Sequence, residues 1–333
     1  MKLGSISVST PDGDEPRLVA IESEAQRAID LRAAERIRLQ RLGATPAAAL
    51  RLAEAVFPSS MAMAIAEGPS FLKAARVAAG DPDSSALVPL PDVRWLPSID
   101  APMIRDCMAF EEHLLHAVER IGQSVNPLHY ELPAYYKANV SALLGHEQTV
   151  PWPAYTRFMD YELELGFVIG RTGRNLTPNE AGAYLFGVTI FDDFSARDIQ
   201  AREMTLTLGP TKGKDFGTAV GPWITTADEV DMTDLTMIAR VNGEEWSRGN
   251  SGAMMWTPAE LIAYISYGET LRPGDLIASG TVGNGCGLEM GRRLQPGDVV
   301  ELEVSGIGVL RNRLGEPETT GWNPTPRRAR AHV

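Results

Sequence analysis

The sequence predicts an α+β, mainly β protein: a rolled or sandwiched β domain with a few short helices, preceded by a small mixed α+β domain. Two observations carry this. Strand-length apolar runs separated by glycine-rich turns crowd residues 161–309, as in a β roll or sandwich. Residues 31–80 instead hold helix-length segments bracketed by capping and stop residues. Between these regions, Asp81 to Pro97 shifts to Pro, Asp and Ser, and Pro82, Pro89, Pro91 and Pro97 forbid a continuous helix. The expected division is therefore a small N-terminal domain over 1–85, a larger β-rich domain over 86–315 and a flexible tail over 316–333.

Taken in order, Ser5 to Val8 and Arg17 to Ile21 read as a hairpin around the turn-rich Pro11-Asp12-Gly13-Asp14. Leu31 to Leu42 has helical spacing and stops at Gly43. Thr45-Pro46 supplies an N-cap and first-turn proline for a second helix ending before Pro58. Pro69 and Gly80 bracket a third. Asp106 to Ile121 reads as a helix with Phe110, Leu114, Ala117 and Ile121 on one face. After Pro127 strands dominate, and Glu316 to Val333 is rich in Pro, Thr and Arg.

Composition excludes several classes. A net charge of -12 argues against binding a phosphate backbone, so no nucleic-acid partner is expected. Only Cys107 and Cys286 are present, which fits free thiols in a reducing cytosol better than a disulfide framework. The first residues lack a signal-peptide core and no run of eighteen apolar residues occurs, so a soluble, cytoplasmic protein without membrane contact is expected. No solenoid or propeller period is present.

The chemistry begins at Tyr161-Glu162-Leu163-Glu164-Leu165. On a strand, Glu162 and Glu164 share one face, and the neighbouring run Ala183 to Phe191 would bring Asp193 toward them. Taken alone, such a pair is usually a solvated strand edge. Three carboxylates within about 4 Å would repel by roughly 4 kcal/mol per pair at an effective dielectric near 20, so a closed site needs a cation. With no histidine or cysteine in this stretch, an oxygen-only set selects Mg²⁺, Mn²⁺ or Ca²⁺. Asp106 suits either a helix N-cap or a further ligand.

Other candidates follow downstream. Ser195 is a plausible N-cap for a helix on which Arg197 and Gln200, three apart, can face the same cavity as Asp193. The loop Leu208 to Thr218 carries Lys212 and Lys214 but lacks the spacing of a nucleotide-binding loop. A lysine there could offset the carboxylate charge and hold an anionic substrate. His113 borders the buried face of its helix, as a packed residue or a general base. The Gly-x-Gly-x-Gly string from Gly280 to Glu289 reads as tight turns, and its Glu289 could orient His113 or stand as an exposed acid.

Taken together, Tyr161-Glu162-Leu163-Glu164, Asp193-Phe194-Ser195-Ala196-Arg197-Asp198-Ile199-Gln200 and Gly209-Pro210-Thr211-Lys212-Gly213-Lys214-Asp215-Phe216 resemble the fumarylacetoacetate hydrolase family, in its order and spacing. The resemblance spans about residues 85–315 and implies that family's mixed β-roll and β-sandwich catalytic fold. It also implies a Mg²⁺ or Ca²⁺ site at Glu162, Glu164 and Asp193, with Asp106 as the aspartate seven residues before a catalytic His113. Glu289 aligns with the acid that orients the histidine. Arg197, Gln200 and Lys214 align with groups that stabilise developing negative charge, and Tyr136 and Thr281 with substrate contacts. The resemblance implies a homodimeric, metal-dependent hydrolase cleaving a C–C bond in a small β-diketo or acylpyruvate-type acid. Oxaloacetate-type decarboxylation or 2-keto-3-deoxy acid cleavage at the same site is the alternative, and an ion-binding protein without turnover the third reading.

Overall fold

The computed structural model describes residues 1–120, 122 and 124–327. Ile121, the last residue of the expected apolar helix face, and the end of the expected tail, 328–333, lie outside the described residues. A twelve-stranded sheet runs through the molecule, with its main path in the order Leu87–Pro89, Arg27–Asp30, Gly13–Glu22, Lys2–Thr10, Thr218–Thr226, Leu185–Asp192, Leu163–Ile169, Leu276–Ala278, Ile104–Cys107, Tyr135–Ala138. The N-terminal hairpin thus joins the sheet that carries the glutamates, through pairing of Lys2 with Thr225 and Leu3 with Ile224. A second sheet of five strands is ordered Glu244–Asn250, Thr236–Val241, Val299–Val304, Gly308–Pro317, Thr149–Trp152.

Alternation along the central strands explains the layers. Leu163, Leu165, Phe167 and Ile169 share a core with Met237, Leu302 and Leu310 of the five-stranded sheet. From the same and adjoining strands, Val168, Phe191, Val220, Ile224 and Leu276 pack with Phe57, Ile65 and Phe71 of the N-terminal helices. The large sheet is therefore covered by a sheet on one face and by helices on the other. Strands buried on both faces read as nearly continuous apolar runs, which is how Leu185–Asp192 looks in sequence.

The helical segments obey their local signals. Helices span Leu31–Arg41, Pro46–Val56 and Pro69–Gly80, and the Thr45 hydroxyl accepts the Ala48 N–H at 3.3 Å. A short helix, Met61–Ala66, capped by Ser60, escaped the sequence reading.

Two local expectations are corrected. Asp106 does not cap a helix: Ile104–Cys107 is a strand parallel to Leu276–Ala278, and the helix begins only at Glu111. A strand of four residues abutting a helix shows no alternation long enough to separate it from the helical pattern. Ser195 does not cap the Arg197–Met204 helix either, because it pairs with Asp160 in a short bridge and its hydroxyl donates to the Asp193 carbonyl at 3.0 Å. No helix among the described residues is long and apolar enough to cross a membrane.

Candidate active site

Four carboxylates meet where the central strands end. Glu164, opposite Phe191, lies on the helix-covered side of the sheet with Val168. Asp106 lies there too, two residues past the buried Ile104 and opposite Tyr136 on the next strand. Asp106, Glu162 and Glu164 each offer an oxygen within 4.8 Å of the others. Asp193, fully buried, follows the Leu185–Asp192 strand and lies against Asp106. The three sequence-predicted acids and Asp106 are thus brought to one place.

Two cations from separate segments serve this cluster. Lys214 Nζ bonds Glu162 and lies 2.5 Å from Asp193 Oδ2. Arg197 Nη2 lies 2.8 Å from Glu162 Oε1 and 2.8 Å from Asp160 Oδ2. Burial opposes charge on Glu162, but Arg197 and Lys214 outweigh it and hold its carboxyl well below the usual range. Burial likewise works against the Lys214 ammonium, and Asp193 with Glu162 overrides it to keep the lysine charged. Asp106 and Glu164 fare otherwise. Burial first, then repulsion from neighbouring carboxylates, pushes both well above the usual range.

A cation bound among these acids would relieve that repulsion. Asp106 Oδ1 and Asp193 Oδ1 are buried with no hydrogen-bond partner, leaving lone pairs free for an ion. With Asp160 sharing Arg197, five carboxylates face two side-chain cations, an excess of acid that a divalent ion would offset. The residues fit Mg²⁺, Mn²⁺ or Ca²⁺.

Tyr136 and Thr281 reach the cluster through their hydroxyls. Tyr136 donates to Asp193 Oδ2 at 2.7 Å and Thr281 to Glu164 Oε1 at 3.2 Å, so each orients a carboxylate. The Gln200 carbonyl oxygen accepts from Arg197 Nη1 at 3.1 Å, leaving its amide N–H groups for another partner. Lys212 is exposed and pairs with Asp215 at 3.2 Å, which separates it from the buried Lys214. The glycine-rich loop makes no phosphate cradle. Its Thr211, Lys212 and Gly213 N–H groups all donate to the Glu203 carboxylate, at 2.9, 2.9 and 3.0 Å.

Beside the carboxylates, His113 Nδ1 lies 3.0 Å from Glu289 Oε2, though off the hydrogen-bond direction. Glu289 is not the exposed acid that an isolated reading suggests: its side chain is fully buried. It accepts the Asn284 N–H at 3.0 Å and the Cys286 thiol at 3.2 Å, with His116 Nδ1 at 3.3 Å.

Sequence reasoning missed three contributors. Asp160 binds Arg197 Nε at 2.8 Å and the Gly287 and Leu288 N–H groups at 2.8 and 3.0 Å, joining the arginine helix to the Glu289 segment. Its signal was present, since Asp160, Glu162 and Glu164 continue one alternation. Asp192 accepts the Glu162 N–H at 3.0 Å, and burial pushes its carboxyl well up. His116, one helical turn past His113, carried the third signal. A cleft of about 770 Å³ between the N-terminal hairpin and the five-stranded sheet is lined by residues that include Trp95, His146 and Trp223 and by none of these three contributors.

The chain is similar to known proteins in sequence and in fold. The family model described as the fumarylacetoacetate (FAA) hydrolase C-terminal domain matches residues 103–315, a span holding every candidate side chain. A fumarylacetoacetate hydrolase from Exiguobacterium antarcticum is 25% identical, with a TM-score of 0.69 over 94% of this chain and 99% of that one. The maleylpyruvate hydrolase of Sphingobium sp. SYK-6, solved with manganese(II) and pyruvate, is 23% identical at TM-score 0.69 over 96% of this chain and 100% of that one. A 2-hydroxyhepta-2,4-diene-1,7-dioate isomerase from Mycobacterium marinum is 24% identical at 0.65, with the same coverage of both chains, 96% and 100%. The last two likenesses show the fold.

Proposed function

The chain belongs to the fumarylacetoacetate hydrolase family, and we propose that it is a divalent-metal-dependent hydrolase cleaving a C–C bond in a β-diketo or acylpyruvate-type acid. When bound by Asp106, Glu162, Glu164 and Asp193, Mg²⁺ (or Mn²⁺ or Ca²⁺) supplies Lewis acidity to adjacent keto and carboxylate oxygens. Glu289 faces His113 Nδ1, so Nε2 is the ring nitrogen left to take a proton from the attacking water. Arg197 and Lys214, kept cationic by their acidic neighbours, and the free Gln200 amide offer donors to the oxygen on which charge develops.

The observation that carries this reading is the histidine facing a buried acid, His113 Nδ1 at 3.0 Å from Glu289 Oε2, beside the carboxylate cluster. Ion storage has no use for such a pair. Acylpyruvates, fumarylpyruvate, oxaloacetate and keto-deoxy sugar acids, tested with Mg²⁺ and Mn²⁺ in ¹⁸O-water, decide the reaction. Hydrolysis places the label in a new carboxylate; decarboxylation, lyase cleavage or isomerisation does not. The His113→Ala variant is expected to lose at least about 100-fold in turnover while binding the ion as the parent does. Unchanged turnover would remove His113 from the mechanism. The same reading includes a cytoplasmic homodimer, for which sedimentation equilibrium must return twice the chain mass.

A further inference from the structure

We propose a second metal site, softer than the carboxylate centre, formed by His113, Cys286 and Glu289 and taking a thiolate-preferring divalent ion such as Zn²⁺. One ligand atom from each of the three lies within 4.8 Å of the other two. Nitrogen, sulfur and oxygen donors together suit zinc, whereas the oxygen-only cluster beside them suits a hard ion.

A second observation points the same way. His113 is buried, yet its Nδ1 has no hydrogen-bond partner, although Glu289 Oε2 is only 3.0 Å off. Two donor atoms side by side without hydrogen-bond alignment are arranged as ligands around a common ion. Cys286 Sγ, 3.2 Å from that same oxygen, supplies the third corner, and a water completes a tetrahedral shell. Outside it, His116 Nδ1 and the Asn284 N–H hold the other Glu289 oxygen, as outer partners steady a ligating carboxylate.

Cys286 is a free thiol, and burial raises its pKa well above the usual value. Capture of Zn²⁺ therefore releases one proton to solvent as the S–H bond gives way to the S–Zn bond, with no change of oxidation state. Zinc here would occupy the side chains of the proposed general base and its partner, switching the enzyme off while the carboxylate centre keeps its own ion. The site shares His113 and Glu289 with the proposed reaction but does not depend on it.

Co²⁺ added to Mg²⁺-saturated protein is the probe. A thiolate-to-cobalt charge-transfer band should grow to one equivalent and vanish on adding Zn²⁺ or in Cys286→Ser. It should persist in Cys107→Ser and in Glu164→Gln. X-ray absorption on the unmutated protein with one equivalent of Zn²⁺ avoids any folding defect, and should show a sulfur neighbour at about 2.3 Å. No band, a band that survives Cys286→Ser or disappears with Glu164→Gln, or a zinc shell of nitrogen and oxygen alone would overturn the site. Neither readout uses turnover, so cobalt bound at Cys286 in a protein that cleaves no keto acid would sink the reaction and keep the site.

Discussion

At Glu164, the Gly280 N–H and the Thr281 hydroxyl hold the two carboxylate oxygens at 3.0 and 3.2 Å, while burial and its neighbours disfavour the charge. Glu164→Gln keeps the shape and removes that charge. Its divalent-ion affinity, by calorimetry on chelator-treated protein, should fall about 100-fold or more, and in urea the metal-free variant should outlast the metal-free parent. Equal affinity would dismiss the cluster as a metal site. A different titration governs His146, whose Nδ1 accepts the Arg311 N–H at 3.0 Å with Trp95 packed edge-on. Burial, aided by Arg311 and opposed by Glu147, lowers its pKa to about 4. The folded state thus resists a proton that the unfolded chain accepts near 6.5, so this stability is present above pH 6.5 and lost as pH falls toward 4. Between pH 7 and pH 5 the parent should lose about 2 kcal/mol more than His146→Gln. Parallel urea curves for the two proteins would contradict this.

The strands Ile104–Cys107 and Leu276–Ala278 run parallel with Asp106 beside Ala278, and Gly280 turns the chain away at φ +81°. A Cβ there would meet the Cys107 carbonyl oxygen at 2.4 Å, so only glycine allows the two strand ends to approach. Gly280→Ala should cost about 1–3 kcal/mol and weaken ion binding, because its N–H also holds Glu164; a variant with parental melting and parental affinity would refute this coupling. Legibility in the sequence followed the range of the interactions. Thr45-Pro46 and Pro69 to Gly80 announced their helices because capping is decided within a few residues. Glu162, Glu164 and Asp193 were legible because adjacent antiparallel strands place them. The strand at Asp106 was not, since it has four residues and takes its place between an antiparallel partner at Tyr135–Ala138 and a parallel one at Leu276–Ala278, about 170 residues away. His116 offered only its spacing from His113, because its partner Glu289 lies 173 residues away and only the folded chain brings the two together.

At the scale of the molecule, hydrogen bonds and packing cross the compositional boundary near residue 85. Arg27–Asp30 pairs with Leu87–Pro89, and Phe57 and Phe71 share a core with Phe191 and Ile224. The division into 1–85 and 86–315 stands as a proposal about folding units, and scanning calorimetry tests it. With so much apolar surface in common, one cooperative transition is expected; two resolved transitions would mean that the N-terminal part melts by itself. The same interdependence reaches the site through Asp160, which grips both the Arg197 side chain and the backbone at Gly287 and Leu288. An engineer who grafts a relative's 283–290 loop into this scaffold would therefore be exchanging one half of a joint. Unless residue 160 and the guanidinium opposite it travel with the transplant, the new loop arrives with its anchoring acid mismatched, and altered selectivity would have to be sought by moving all three pieces together.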